Sequence, residues 1–106
     1  LSEQLSEVFA ALADPTRRMM VRTLIEDGWT SVPALSGSLP ISRQAVAKHM
    51  AALDEAGLVE RMPGQGREVR YRLRGEALTP AAQWLGEAQT AWEGRLARLK
   101  QAVEEG

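Results

Sequence analysis

Leu39-Pro40-Ile41-Ser42-Arg43-Gln44-Ala45-Val46-Ala47-Lys48-His49-Met50 is the stretch that decides the fold. Pro40 has no amide proton and its ring clashes with a preceding helical turn, so a helix arriving from the N-terminal side must stop there. Ser42 can cap a new helix by accepting an amide proton from its first turn. Val46, Met50 and Leu53 then follow at steps of 4 and 3, the stripe of a helix with one buried face, and Gly57 supplies the stop after Ala56. The short segment before Pro40, from Ser31 or Val32 to Leu39, places Val32, Leu35 and Leu39 inward. Two helices separated by Pro40-Ile41 have the tight connection of a helix-turn-helix, here spanning 31–56.

Toward the N-terminus, Leu5, Val8, Phe9 and Leu12 fall at i, i+3, i+4 and i+7, one stripe of an amphipathic helix. Asp14-Pro15 ends that helix and opens the next, Asp14 as cap and Pro15 in the first turn. The second helix is expected to run to about Asp27, burying Met20, Val21, Leu24 and Ile25, with Gly28 as its stop and Trp29 as a plug over its end.

Toward the C-terminus the period changes to two. Leu58 to Met62 reads as a strand, Pro63-Gly64-Gln65-Gly66 as a turn, and Glu68 to Arg74 as a second strand. Val69, Tyr71 and Leu73 share one face of it and Arg70, Arg72 and Arg74 the other, so residues 58–74 form a hairpin with an apolar underside and a cationic outer side. Thr79-Pro80 opens a last helix to about Glu105, with Leu85, Ala88, Trp92, Leu96, Leu99 and Val103 spaced 3, 4, 4, 3 and 4. The expected fold is therefore mainly α: a single winged helix-turn-helix domain over 1–106, five helices with a β-hairpin wing between the fourth and fifth.

Composition removes most other classes. A chain of 106 residues, 44 % hydrophobic and 25 % charged, suits one folded domain and not two. It has no cysteine and one histidine, His49, which excludes disulfides and thiolate metal sites and leaves too few imidazoles for zinc or a Ser-His-Asp triad. No nucleophile–base pair or phosphate loop is visible, so no enzyme, cofactor or metal is expected. No apolar run is long enough for a membrane span. Leu1-Ser2-Glu3-Gln4 lacks the basic start and apolar core of a secretory leader, so a cytoplasmic location is expected.

The formal net charge is only −1, but residues 41–74 carry seven basic and four acidic side chains. A polyanion responds to that local excess, not to the total. With Val46, Met50 and Leu53 facing the core, Arg43, Gln44, Ala47 and Lys48 lie on the opposite side of their helix. Arg can bond a guanine edge and Gln an adenine edge in bidentate fashion, and both sit in the first turn. Ser42 and the free amides beside it suit a phosphate, and the small Ala45 and Ala47 permit close approach to the groove. Lys48 either meets a phosphate or serves only as a solubilising charge. In the wing, Arg67, Arg70 and Arg72 are the candidate phosphate or minor-groove contacts, with Glu60 and Glu68 able to pair part of that charge. His49, on the flank between core and outer face, reads as a packed or capping histidine.

Leu12-Ala13-Asp14-Pro15-Thr16-Arg17-Arg18, the run Ser42 to Met50, and Leu53-Asp54-Glu55-Ala56-Gly57-Leu58-Val59 together resemble the ArsR/SmtB bacterial transcriptional repressors, in the same element order over about residues 5–103. The resemblance implies a homodimer built from the first and last helices, bound to an inverted-repeat operator in double-stranded DNA and blocking transcription. Leu5, Val8, Phe9, Leu85, Ala88, Trp92, Leu96 and Leu99 are the expected dimer interface, and a thin single core gives the first and last helices little else to pack against. Metal-sensing members carry a Cys-x-Cys pair in the third helix or Asp/His ligands on the last. Here the corresponding positions read Ser31-Val32-Pro33, and the last helix has no histidine. A small-molecule inducer, unidentified by the sequence, remains compatible with the Trp84–Trp92 face. Two other readings stay open: a winged-helix protein-interaction module whose basic face is incidental, and a metal-responsive repressor with a carboxylate site on the last helix.

Overall fold

The computed structural model describes residues 2–106, so the domain start at residue 1 lies outside the described residues. Its elements are α1 (Glu3–Leu12), α2 (Pro15–Asp27), α3 (Val32–Ser38), α4 (Arg43–Glu55), β1 (Val59–Pro63), β2 (Val69–Leu73), a 3-10 turn (Gly75–Leu78) and α5 (Thr79–Glu105). Side chains cap the first four helices. Ser2, Ser31 and Ser42 each accept the amide three residues on through Oγ, and Asp14 accepts the amides of Thr16 and Arg17 through Oδ1. α5 starts differently. Thr79 is its first helical residue, no side chain caps it, and the 3-10 turn runs directly into it.

Met20, Leu24, Leu35, Val46, Met50, Leu53, Leu58 and Val59 fill one core between α2, α3, α4 and the base of the hairpin, with Val8 from α1 closing it. Each large side chain buried there contributes about 1.5–3 kcal/mol of transfer free energy. The sequence places Ile25 in this core, but it is 62 % exposed. At about 100° per residue, Ile25 is rotated a quarter-turn beyond Leu24, off a face already filled by Met20, Val21 and Leu24.

β1 and β2 are antiparallel, with Val59 opposite Leu73 and Pro63 opposite Val69. The free edge of β2 is also taken: Tyr71 N donates to Thr30 O at 2.8 Å and Thr30 N to Tyr71 O at 3.0 Å. That bridge pins the wing to the α2–α3 linker. Tyr71 and Leu73 pack against the core as expected, but Val69 lies beyond its edge and is exposed. Gly57, at φ +76°, turns the chain from α4 into the hairpin through a left-handed conformation that a side chain would strain.

The long axis of the molecule is 71 Å against 26 and 22 Å, because α5 projects from the core. A helix of 27 residues spans about 40 Å at 1.5 Å per residue. Among its side chains only Ala81 is buried.

Candidate nucleic-acid interface

α4 is gripped from behind by Val46, Met50 and Leu53, all fully buried. That anchoring turns Arg43, Gln44, Ala47 and Lys48 outward, and all four are exposed; Ala45 is half-buried at the edge. Ser42 is exposed too, and its Oγ accepts the Ala45 amide at 3.1 Å, which leaves the hydroxyl proton available to an anion. The amides of Arg43 and Gln44 have no helical carbonyl one turn back to donate to, so they point out of the positive end of α4. Among the described residues neither Arg43 nor Lys48 enters an ion pair. This surface offers free cations, a bidentate amide and two unpaired N–H groups on one convex face.

The wing differs from the bare cationic ladder that the alternating arginines suggest. Arg70 bonds Glu68, Arg72 bonds Glu60 across the hairpin, and Arg74 Nε donates to Glu76 at 3.3 Å. Glu76 titrates below its usual range, first because its own backbone amide bonds the carboxylate and then because Arg74 does. All three ladder arginines therefore have a carboxylate partner, and only the first two of those partners stood out in the sequence. Arg67, in the turn of the hairpin, makes no ion pair among the described residues. Arg61 on β1 reaches back to Asp54 on α4 at 3.8 Å.

Two residues make contacts that the sequence reading did not foresee. Trp29, expected as a plug over the end of α2, stays partly exposed, with the Arg70 guanidinium 3.9 Å from its ring centroid. Arg17 lies at the junction of α1, α2 and α4. The available signal was its position three, four and seven residues before Met20, Val21 and Leu24, an arginine on an apolar stripe. His49 is half-buried beside it, packed as expected.

On the far side, Phe9 and Trp84 meet edge to face with centroids 5.9 Å apart. Leu85, Ala88, Trp92, Leu96 and Leu99 continue outward along α5 as an exposed stripe. Leu5 and Val8 do not join that surface. They are 8 % and 2 % exposed, buried in their own chain's core because the inner face of α1 is turned to α2 and the base of α5. Among the described residues no three His, Cys, Asp or Glu side chains are grouped as a metal would need.

Residues 12–61 match the model of a helix-turn-helix domain family. The chain is 38 % identical over 79 residues to the arsenic resistance transcriptional regulator ArsR1 of Pseudomonas putida, a match covering 74 % of this chain and 57 % of that regulator's length. Among solved structures, an ArsR-like transcriptional regulator from Rhodococcus sp. RHA1 is 43 % identical, superposes with a TM-score of 0.84, and is matched over 97 % of this chain and 93 % of its own. The homodimeric winged helix-turn-helix DNA-binding domain Mb0332 of Mycobacterium bovis is 25 % identical with a TM-score of 0.64, over 86 % of this chain and 80 % of its own. The caps, the buried back of α4, the hairpin and these likenesses agree, and the chain belongs to the ArsR family of winged helix-turn-helix transcriptional regulators.

Proposed function

We propose that this chain is a homodimeric repressor whose α4 helices read an inverted-repeat operator in successive major grooves, about 34 Å apart. The observation that carries the reading is the outward face of α4, where Arg43, Gln44, Ala47 and Lys48 are exposed and, among the described residues, enter no ion pair, on a helix fixed by three buried side chains. Arg43 and Gln44 read base edges, Ser42 and the α4 amides hold a phosphate, and Ala45 and Ala47 allow the close approach. Arg67 contacts the backbone beside the major groove, with Arg70 and Arg72 behind it.

The exposed stripe of α5 supports the homodimer. Ala81 packs into the core, and the same helix face runs on past the domain edge as Leu85, Ala88, Trp92, Leu96 and Leu99. An apolar face of that length, left exposed where the helix runs beyond Phe9 and the core, calls for a second copy. No helix among the described residues is long and apolar enough to cross a membrane.

The test is selection of bound duplexes from a random DNA pool at about 150 mM salt, followed by sequencing. A two-fold symmetric motif with half-sites one helical turn apart is the expected result. Recovery of no motif, with binding confined to low salt, would overturn the reading and favour a protein-interaction module.

A further inference from the structure

The Arg17 side chain is only 21 % exposed, and its guanidinium meets three partners on two other helices. Nε donates to Ala11 O at 2.7 Å and Nη2 to Ala10 O at 3.3 Å, closing carbonyls at the end of α1. Nη1 lies 3.3 Å from Nδ1 of His49 on α4, next to the outward-facing Lys48. A guanidinium has donors and no acceptor, so this contact requires a lone pair on Nδ1, with the imidazole neutral and its proton on Nε2.

Protonation of His49 would place a hydrogen on Nδ1 and a second cation 3.3 Å from the first. Imidazole is the side chain that ordinarily changes charge between about pH 5 and 8. The charged groups around the contact are few. Asp14, at the start of α2, places Oδ2 4.0 Å from Arg17 Nη1 and attracts a protonated His49 as well, while its Oδ1 accepts two amides. Glu7 of α1 and Glu55 of α4 line the same cleft as Arg17. α3 carries no charged residue, Arg61 of β1 is drawn to Asp54, and Lys48 is the neighbour of His49 on α4 itself.

We propose that Arg17 is a positioning residue for DNA reading: through neutral His49 it fixes the recognition helix against the end of α1, and acidification releases that tie. The inference rests on the DNA-reading function proposed above. Base-edge contacts depend on the angle of α4, whereas the sequence-independent attraction to the phosphates is electrostatic and gains from added positive charge. Acid therefore weakens operator binding relative to non-specific binding.

The experiment titrates the full chain into the selected operator and a scrambled duplex of equal length by fluorescence anisotropy. It runs at constant salt from about pH 8 to about pH 5.5, with a thermal melt at each pH to show the protein folded. The expected result is a fall of about tenfold in the operator-to-scrambled affinity ratio, within the range of ordinary site couplings. His49→Asn keeps an uncharged acceptor near the Nδ1 position, so it holds the ratio seen at high pH and loses the pH dependence. Arg17→Lys keeps the charge but cannot reach all three partners, so its ratio is lower at high pH and flat. A wild-type ratio independent of pH, or a His49→Asn profile that copies the wild type, overturns the proposal. Equal affinity for operator and scrambled DNA at high pH is a different failure, that of the DNA-reading function, and the inference falls with it.

Discussion

The guanidinium of Arg70 lies over the indole of Trp29, 3.9 Å from the ring centroid, and so fastens the wing to the linker that follows α2. The neighbouring bridge between Thr30 and Tyr71 holds the same two segments by backbone bonds. A double-mutant cycle of Trp29→Ala and Arg70→Ala, read by chemical denaturation, is expected to show a coupling of about 0.5–1 kcal/mol, the usual worth of a partly exposed cation–π pair. Strict additivity would mean that the backbone bridge alone holds the wing.

Arg67 and Arg72 separate a free cation from a paired one. Arg67→Ala removes an uncompensated charge and should lower the slope of log affinity against log salt by about one. Arg72→Ala also strips Glu60 of its partner, leaving an unpaired carboxylate on the wing. Its main effect is expected as weaker binding at low salt. Equal slopes for the two variants would count against this division.

Arg43→Ala and Gln44→Ala are expected to relax sequence preference at one position of each half-site, by about 1–3 kcal/mol of discrimination. Non-specific affinity should drop for Arg43→Ala and hold for Gln44→Ala, since only the first loses charge. Repeating the random-pool selection with each variant checks both statements. An unchanged motif would place these side chains away from the bases.

The helix order, the caps and the back of α4 were legible because each follows from local chemistry: Ser or Asp before a turn, glycine after it, apolar residues every three or four positions. Ile25 was misplaced because a stripe four residues wide looks the same in sequence whether or not the core reaches its edge. Leu5 and Val8 were assigned outward for a related reason, since periodicity finds a buried face without saying whose core buries it. The wing arginines were legible as a face, but Glu76 pairs with Arg74 only after the chain has turned into its 3-10 segment. Arg17 and Trp29 make contacts between segments distant in sequence, which no local pattern encodes.

Leu5 and Trp92 should answer differently to substitution. Trp92 is 55 % exposed on α5, so Trp92→Asp is expected to leave the fold intact and halve the mass seen by sedimentation equilibrium. Leu5 is buried within its own chain, and Leu5→Ala should cost about 2–5 kcal/mol of stability with little direct effect on association. Wild-type melting should rise with protein concentration, as linked folding and association require, and that rise should vanish in Trp92→Asp. A monomeric wild type would remove the stripe's role.

Asp14 gives the fold an acid-sensitive element whose sign is fixed by its surroundings. Its carboxyl titrates below the ordinary value of 3.8, chiefly because the Arg17 amide bonds it, aided by the Thr16 amide and the nearby His49 and Arg17 charges. The folded state thus holds the ionised form more tightly than the unfolded chain does, so the unfolded chain binds the proton first. The resulting stabilisation is fully present above the ordinary value and is lost as pH falls through the lower, folded one. Asp14→Asn keeps a capping oxygen without the charge, so its melting temperature should lie below the wild type's at neutral pH and converge with it in acid. Asp14→Ala loses the cap as well and should remain less stable than the wild type at every pH. A gap between Asp14→Asn and wild type that persists unchanged into strong acid would show that the charge on Asp14 does not stabilise the start of α2.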